Sequence, residues 1–541
     1  MSPLPARLGQ VVAGSLAEGL DVRLDPGVSV EDMAVGRYIV VEGRQRRFFC
    51  MITDIKLATS NPQFALAPPD LSDQFVADVL DGTSTFGALA VTPMLTIGRE
   101  EGAELKGPLP VKTVPSHFSD VAEASEKDVA LVFGEEDETH FQVGRPLDME
   151  TPVCLDLKRF IERSNGVFGK SGTGKTFLTR LLLLGIIQRK MAVNLIFDMH
   201  NEYGWESQTE DKRTVAGLKQ LCGSRVAIFT LDEDSSRDRR SPFDVSLQIG
   251  YEEVQPEDIA MLRETLDLSD PMIESVYRLE RLARGSWLGE FLALDGAGRE
   301  QLALDHGLNS GTLNALHRKL DTRLARLPFL REHTTSGASA KTLIDYLQAG
   351  THVVLEFGRH NGLDAYMLVA NILTRRIHEA WVIAKDKALG DKAKEPPHLV
   401  ISIEEAHKFL SPEVENQTIF GTIAREMRKY NVTLLVVDQR PSGIADEVMS
   451  QIGTRVTCLL DDERDIQAVL SGVSGASSLR GVLARLETRQ QAIILGHAVP
   501  MPVVIRTREY GGLAGYGEPR FADAAALHRQ AAQDVDDLFP D

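Results

Sequence analysis

Eight consecutive residues, Gly169-Lys170-Ser171-Gly172-Thr173-Gly174-Lys175-Thr176, fill every position of the pattern GxxxxGK[ST]. The strand-like run Gly166-Val167-Phe168 precedes them, and a helical run through Leu184 follows. A strand, a glycine-rich turn and a helix in that order make a phosphate-cradling loop. The glycines let backbone N–H groups turn inward on a β-phosphate, helped by the positive end of the helix. Gly169 through Phe177 are the expected nucleotide-binding segment. Lys175 is placed to reach the β- and γ-phosphates, and Thr176 to hold Mg²⁺.

The runs VNLIFD (193–198), RVAIFT (225–230), HVVLEF (352–357), HLVISI (398–403) and VTLLVV (432–437) are almost continuously apolar. Strands buried on both faces look like this, so a parallel sheet covered by helices is expected. Residues 250–335 carry only helical patterning, as in Ile259, Leu262 and Leu266, and Asp270-Pro271 reads as a cap followed by a first turn. A helical bundle inserted into the α/β domain follows from this. Residues 7–60 break instead into short strand-like runs such as GQVVAGS, DVRL and RRFFCMITDI, which suggests a small barrel or sandwich. Residues 61–140 read as the end of that barrel plus a connector. FADAAALHRQ and the acidic end carrying Leu538 and Phe539 read as a short terminal helix and tail.

Two further clusters say what the phosphate is for. HLVISI runs into Glu404-Glu405-Ala406-His407. In a phosphate-loop hydrolase one carboxylate there holds the Mg²⁺ hydration shell, and the next polarises the attacking water. The pair favours repeated ATP turnover over a switch, and the chain has no NKxD-like base-reading motif of a GTPase. Asp198 ends its own strand, close to where a nucleotide sits in open α/β sheets. Gln439 stands at the end of VTLLVV, where a polar side chain can sense a γ-phosphate. Arg425 or Arg428 is a candidate arginine for a neighbouring subunit's ATP.

The bulk numbers exclude some classes. The 541 residues carry 78 acidic and 59 basic side chains, a net charge of −19. A protein that coats nucleic acid with its whole surface is not built this way, because such binding rests on neutralising phosphates with Lys and Arg. A local basic channel stays compatible, and Arg237, Arg239 and Arg240 are either its contributors or a solvated loop. Cys50, Cys154, Cys222 and Cys458 form no CxxC pair, so no disulfide framework or zinc site is expected, and a cytoplasmic location is. The first residues lack a secretory pattern, and no uncharged apolar run of about 18 residues suggests a membrane span.

Together these pieces resemble the HerA branch of the HerA–FtsK ATPases. GKSGTGKT is similar to that family's Walker A loop and IEEAHKFL to its Walker B. REMRKYNVTLLVVDQRP is similar to its arginine block, with Met427 and Asn431 in place of usual glycines. DMHNEY is similar to its D-x-x-G-E-Y, with Asn201 for Gly. The resemblance implies an N-terminal HAS barrel over 1–120 and a RecA-like ATPase core over 121–250 and 341–510. It also implies a helical insertion over 251–340 and a C-terminal brace or tail over 511–541. The strands in QAIILGHAVPMPVVIRTR would brace a neighbouring subunit.

The resemblance further implies a homohexameric ring that moves double-stranded DNA through a central pore. A partner effector would ride on the barrel face: a NurA-like nuclease, a sirtuin-type NADase or another nuclease, in DNA-end processing or antiphage defence. By the same resemblance Lys175 and Thr176 bind ATP–Mg²⁺, Glu404 supports the metal and Glu405 activates water. Asp198 and Glu202 line the site, Gln439 senses its state, and Arg425, Arg428 or Arg163 acts across the interface. An alternative is a ring scaffold, regulated by ATP, that assembles and activates the effector with little translocation. A conjugation-type ATPase working at a membrane is the third reading.

Overall fold

The computed structural model describes residues 6–510 except 67, 71, 73–74, 76–78, 81–82, 101, 103–106, 209–213, 336, 361, 391–394, 414–418, 474 and 489. The expected terminal helix and the 511–541 tail lie outside the described residues.

Six N-terminal strands close into a barrel in the order Gly19–Leu24, Arg7–Ser15, Asp120–Glu123, Tyr38–Glu42, Arg46–Thr59, Thr85–Gly98 and back to Gly19–Leu24. Side chains alternate across a strand, and here both faces are used. Phe48, Cys50 and Ile52 fill the barrel. Phe49 and Met51 point the other way, into the core of the second domain. The stretch expected to hold the end of the barrel and a connector contains the 14-residue barrel strand Thr85–Gly98. Pro93 sits in it opposite a register shift between Phe49 and Cys50, the kind of irregularity at which a sheet tolerates proline. The ring also needs Asp120–Glu123, so the first unit runs past residue 120.

The second domain is built on a 12-stranded sheet. Its first eight strands are parallel: Val245–Ser246, Val226–Thr230, His352–Glu356, Val193–Asp198, Leu399–Glu404, Val432–Asp438, Asn165–Phe168 and Thr454–Thr457. The remaining four, Gln491–Gly496, Val503–Thr507, His140–Arg145 and Val153–Asp156, are antiparallel. The expected parallel sheet is therefore present, and four antiparallel strands extend it on one side. The six residues between Gln491–Gly496 and Val503–Thr507 are too few for the crossover that parallel strands require.

Five helices, from Pro256–Met261 to Ser310–Arg323, fill the interval between Ile249–Gly250 and Leu330–Arg331, which pair in parallel and close the insertion at its base. Ser269, not Asp270, holds the cap position, and Asp270 opens the helix Asp270–Leu282. The outer face of the barrel, through Tyr38, Phe49 and Met51, packs into the core of the ATPase domain. At their seam the Tyr38 hydroxyl donates to the Pro502 carbonyl and accepts from the Val504 N–H, both at 3.0 Å. No helix among the described residues is long and apolar enough to cross a membrane.

Candidate active site

The parallel strands end together along one edge of the sheet. Phe168 pairs beside Asp438, Glu404 beside Val437, and Asp198 beside Glu356. Ligands of open α/β sheets bind outside those carboxyl ends, and a cavity of about 550 Å³ opens there. Ser171 to Phe177 form one wall, and Glu404, Glu405 and Gln439 face them from the strand ends. Glu202 and the segment Thr507–Tyr510 complete the rim.

Gly169 and Lys170 lie behind this wall. A Cβ on Gly169 would stand 2.8 Å from both Cys458 Cβ and Thr173 Oγ1, so only glycine fits where strand turns into loop. The Lys170 carbonyl accepts from Lys175 Nζ at 2.9 Å and from Thr173 Oγ1 at 2.8 Å. Lys175 is thereby parked on its own loop. Burial pulls its ammonium below the ordinary lysine range, against the attraction of Cys458, Glu405, Asp438 and Glu404.

The two glutamates are held differently. Glu404 Oε1 accepts from the Tyr203 hydroxyl at 2.9 Å. Its Oε2 is shielded from solvent and has no hydrogen-bond partner among the described residues. Burial, then the neighbouring charge of Asp198, push the Glu404 pKa up to about 8. An orphaned carboxylate oxygen on a phosphate cavity fits the hydration shell of Mg²⁺, a hard cation that takes oxygen ligands and keeps several of its waters. Glu405 has a left-handed backbone, φ 50°. Its Oε1 accepts from Gln439 Nε2 at 2.8 Å, and its Oε2 lies 3.9 Å from His407 Nε2.

Asp198 is not a cavity wall. It is fully buried, and its two oxygens accept the backbone N–H groups of Glu202 and Tyr203, each at 2.8 Å. The carboxylate thus folds the turn that carries Glu202 and Tyr203 to the site. Asn201 lies in that turn at φ 56°, and Asn431 at φ 61°, as expected of residues standing where glycine is usual. Met427 begins the 3₁₀ turn Met427–Tyr430.

Arg163, Arg425 and Arg428 do not line the cavity of their own chain. Arg425 lies 3.8 Å from Glu447, and Arg163 and Arg428 are exposed. Arg239 turns inward, to Glu356 at 2.6 Å, and Arg237 pairs with Glu233 at 2.7 Å.

Four contributors escaped the sequence reading. Tyr203 and His407 stand inside the runs DMHNEY and EEAH but were read only as part of them. Asp438 looked like the last residue of a strand, yet it accepts from His407 and from the Arg440 N–H. Arg180, which reads as a polar bracket on an apolar helix, is fully buried. It donates to Ser207 at 2.8 Å and lies 5.6–5.9 Å from the ring centres of Phe177, Tyr203 and Tyr510. Nothing local in LTRLLLL signals this, because beside Phe177 of the same helix the cage needs two distant segments, one carrying Tyr203 and Ser207 and the other Tyr510.

Two family descriptions match the chain: "Helicase HerA, central domain" over residues 141–377 and "HAS barrel domain" over residues 8–104. The DNA double-strand break repair helicase HerA of Pyrococcus furiosus is 22% identical over 472 residues, covering 81% of this chain and 82% of that protein. The protein of the same name from Sulfurisphaera tokodaii is 34% identical over 189 residues, covering 34% and 38%. Among solved structures, the bacterial conjugative coupling protein TrwB matches with a TM-score of 0.45 at 13% identity, covering 73% of this chain and 95% of that one. With its barrel, its phosphate loop and its paired glutamates in one cavity, the chain is a HerA-type ATPase and hydrolyses ATP.

Proposed function

We propose that this chain is the subunit of a homohexameric motor that spends ATP to move double-stranded DNA through its central pore. A nuclease or other effector would dock on the barrel face for DNA-end processing. The observation that carries the reading is the site itself: the phosphate loop, Glu404 with an unpartnered carboxylate oxygen, and left-handed, Gln439-held Glu405 meet in one cavity of nucleotide size. Relatives named as break-repair helicases support the DNA half of it.

The chemistry follows from the side chains. Lys175 leaves the Lys170 carbonyl for the β- and γ-phosphate oxygens, and the loop N–H groups hold the β-phosphate. Thr176 and Glu404 are the residues that would hold Mg²⁺, and the ion would supply positive charge to the phosphate oxygens. Glu405 takes a proton from a water as that water's oxygen attacks the γ-phosphorus. The bond from phosphorus to the ADP oxygen breaks, and ADP and phosphate leave. Gln439 reports the state of the γ-phosphate through its bond to Glu405. Arg425, Arg428 or Arg163 of the neighbouring subunit supplies positive charge to the transition state.

The test is steady-state ATPase of the purified protein with and without linear double-stranded DNA, with Glu405→Gln as the control. The motor reading expects several-fold stimulation that vanishes in the variant. Turnover indifferent to DNA would overturn it in favour of the ATP-regulated scaffold.

A further inference from the structure

We infer that His407 is a positioning residue for ATP hydrolysis, one that aims the Glu405 carboxylate at the attacking water. The inference rests on the reading of Glu405 as the water-activating base.

His407 is pinned from one side. Its backbone N–H donates to Asp438 Oδ2 at 2.7 Å, and its ring Nδ1 lies 3.1 and 3.0 Å from the two Asp438 oxygens. Asp438 is 1% exposed, and it accepts the Arg440 N–H as well, at 2.7 Å. A buried carboxylate with that many donors has one orientation, so the ring it holds has one orientation too. Nδ1 faces carboxylate oxygens only and must carry its hydrogen. At the base of the side chain Gly443 packs close: a Cβ there would stand 3.1 Å from His407 Cβ, so a glycine is what fits beside it.

This arrangement turns Nε2 toward Glu405 Oε2, 3.9 Å away. The hydrogen bond to Asp438 raises the His407 pKa, burial opposes it, and the charges of Asp438 and Glu405 add to the rise. In the protonated ring Nε2–H is a donor facing Glu405. Glu405 is then addressed at both oxygens: by Gln439 on Oε1 at 2.8 Å and by His407 on Oε2, one small rotation or one water away. Its left-handed backbone is the kind of strained conformation that persists only where the surroundings over-determine it. The logic matches that of a catalytic triad, in which a buried Asp orients a His. Here the chain runs one member further, Asp438 to His407 to Glu405.

A residue of this type acts on the rate of the chemical step and leaves nucleotide binding alone. The discriminating variant is His407→Asn. Its amide replaces Nδ1 toward Asp438 but is too short to reach Glu405. ATPase kcat and KM are measured on the full chain with linear double-stranded DNA, alongside thermal melting. The expected result is a fall in kcat on the order of 10–100-fold, the size seen when groups that orient a functional side chain are removed, with KM for ATP within about twofold of wild type. His407→Gln, which restores a donor toward Glu405, should exceed His407→Asn in kcat. His407→Ala replaces the Asn variant in that comparison if the latter does not melt cooperatively. A His407→Asn enzyme with wild-type kcat, a loss confined to KM, or a Gln variant no faster than Asn or Ala would overturn the inference. Glu405→Gln separates the two levels. If it retains turnover, the reading of Glu405 fails; if it is inactive while His407→Asn is unimpaired, only the role of His407 fails.

Discussion

Lys175 and Glu405 carry different halves of the chemistry, and their substitutions should separate. Lys175→Ala removes the cation that faces the phosphates and should abolish tight ATP binding along with turnover. Glu405→Gln keeps the shape and the Gln439 contact but cannot take a proton. It should bind a fluorescent ATP analogue at near-normal affinity and lose at least about 100-fold in phosphate release, the low end of what general bases contribute. Wild-type phosphate release from that variant would refute the assignment. A backbone prediction belongs at the same scale. Asn431 sits at φ 61°. Asn431→Val should be less stable than Asn431→Gly by about 1 kcal/mol in urea unfolding, because a left-handed backbone penalises a branched side chain. Equal stabilities would mean that the turn relaxes. At this scale the sequence already displayed every reacting group in a short motif. It did not display their restraints. Asp438 and Tyr203 become partners of His407 and Glu404 only when strands 30 to 200 residues apart lie side by side.

Among the elements, the strand His352–Glu356 carries a titration of its own. His352 is nine-tenths or more out of water, and its Nδ1 accepts the Asn194 N–H at 3.1 Å. Burial lowers its pKa to about 4. The unfolded chain takes up this proton near the ordinary value of about 6.5, and the folded chain only near 4. Between these values the unfolded state binds more protons, so stability falls as pH drops through the window and is fully present above it. The contribution at stake is about 3 kcal/mol by linkage. Melting temperatures of wild type and His352→Gln across pH 4–7 check it: the wild-type curve should be steeper, and parallel curves would remove His352 as the cause. The strand itself was legible as HVVLEF, since a run buried on both faces has nothing polar to alternate. The bounds of Thr85–Gly98 were not legible, because Gly87, Pro93 and Gly98 interrupt its apolar pattern where the barrel uses a bulge and close strand packing.

For the whole molecule, the seam between barrel and ATPase domain is the element most open to test. Tyr38→Phe orphans the Pro502 carbonyl and the Val504 N–H, which the Tyr38 hydroxyl now serves together. A loss of about 1–3 kcal/mol is expected from leaving such groups buried and unpaired. It should show as a lower melting temperature for the full chain, and an unchanged one would mean that water replaces the hydroxyl. Native mass spectrometry with and without DNA tests the proposed homohexamer directly; monomers under all conditions would refute it. The amino-acid sequence by itself determined the class of fold and the identity of the reacting groups. Hydrophobic periodicity and the phosphate-loop spacing are local properties that each segment carries alone. Only the tertiary structure decided that the sheet turns antiparallel after Thr454–Thr457, that the barrel closes through Asp120–Glu123, and that Asp198 braces a turn instead of facing the nucleotide. It also decided that Arg180 is caged and that His407 stands between two carboxylates. Each of these depends on which distant backbones become neighbours, and that is settled by burial and hydrogen bonding over the whole chain.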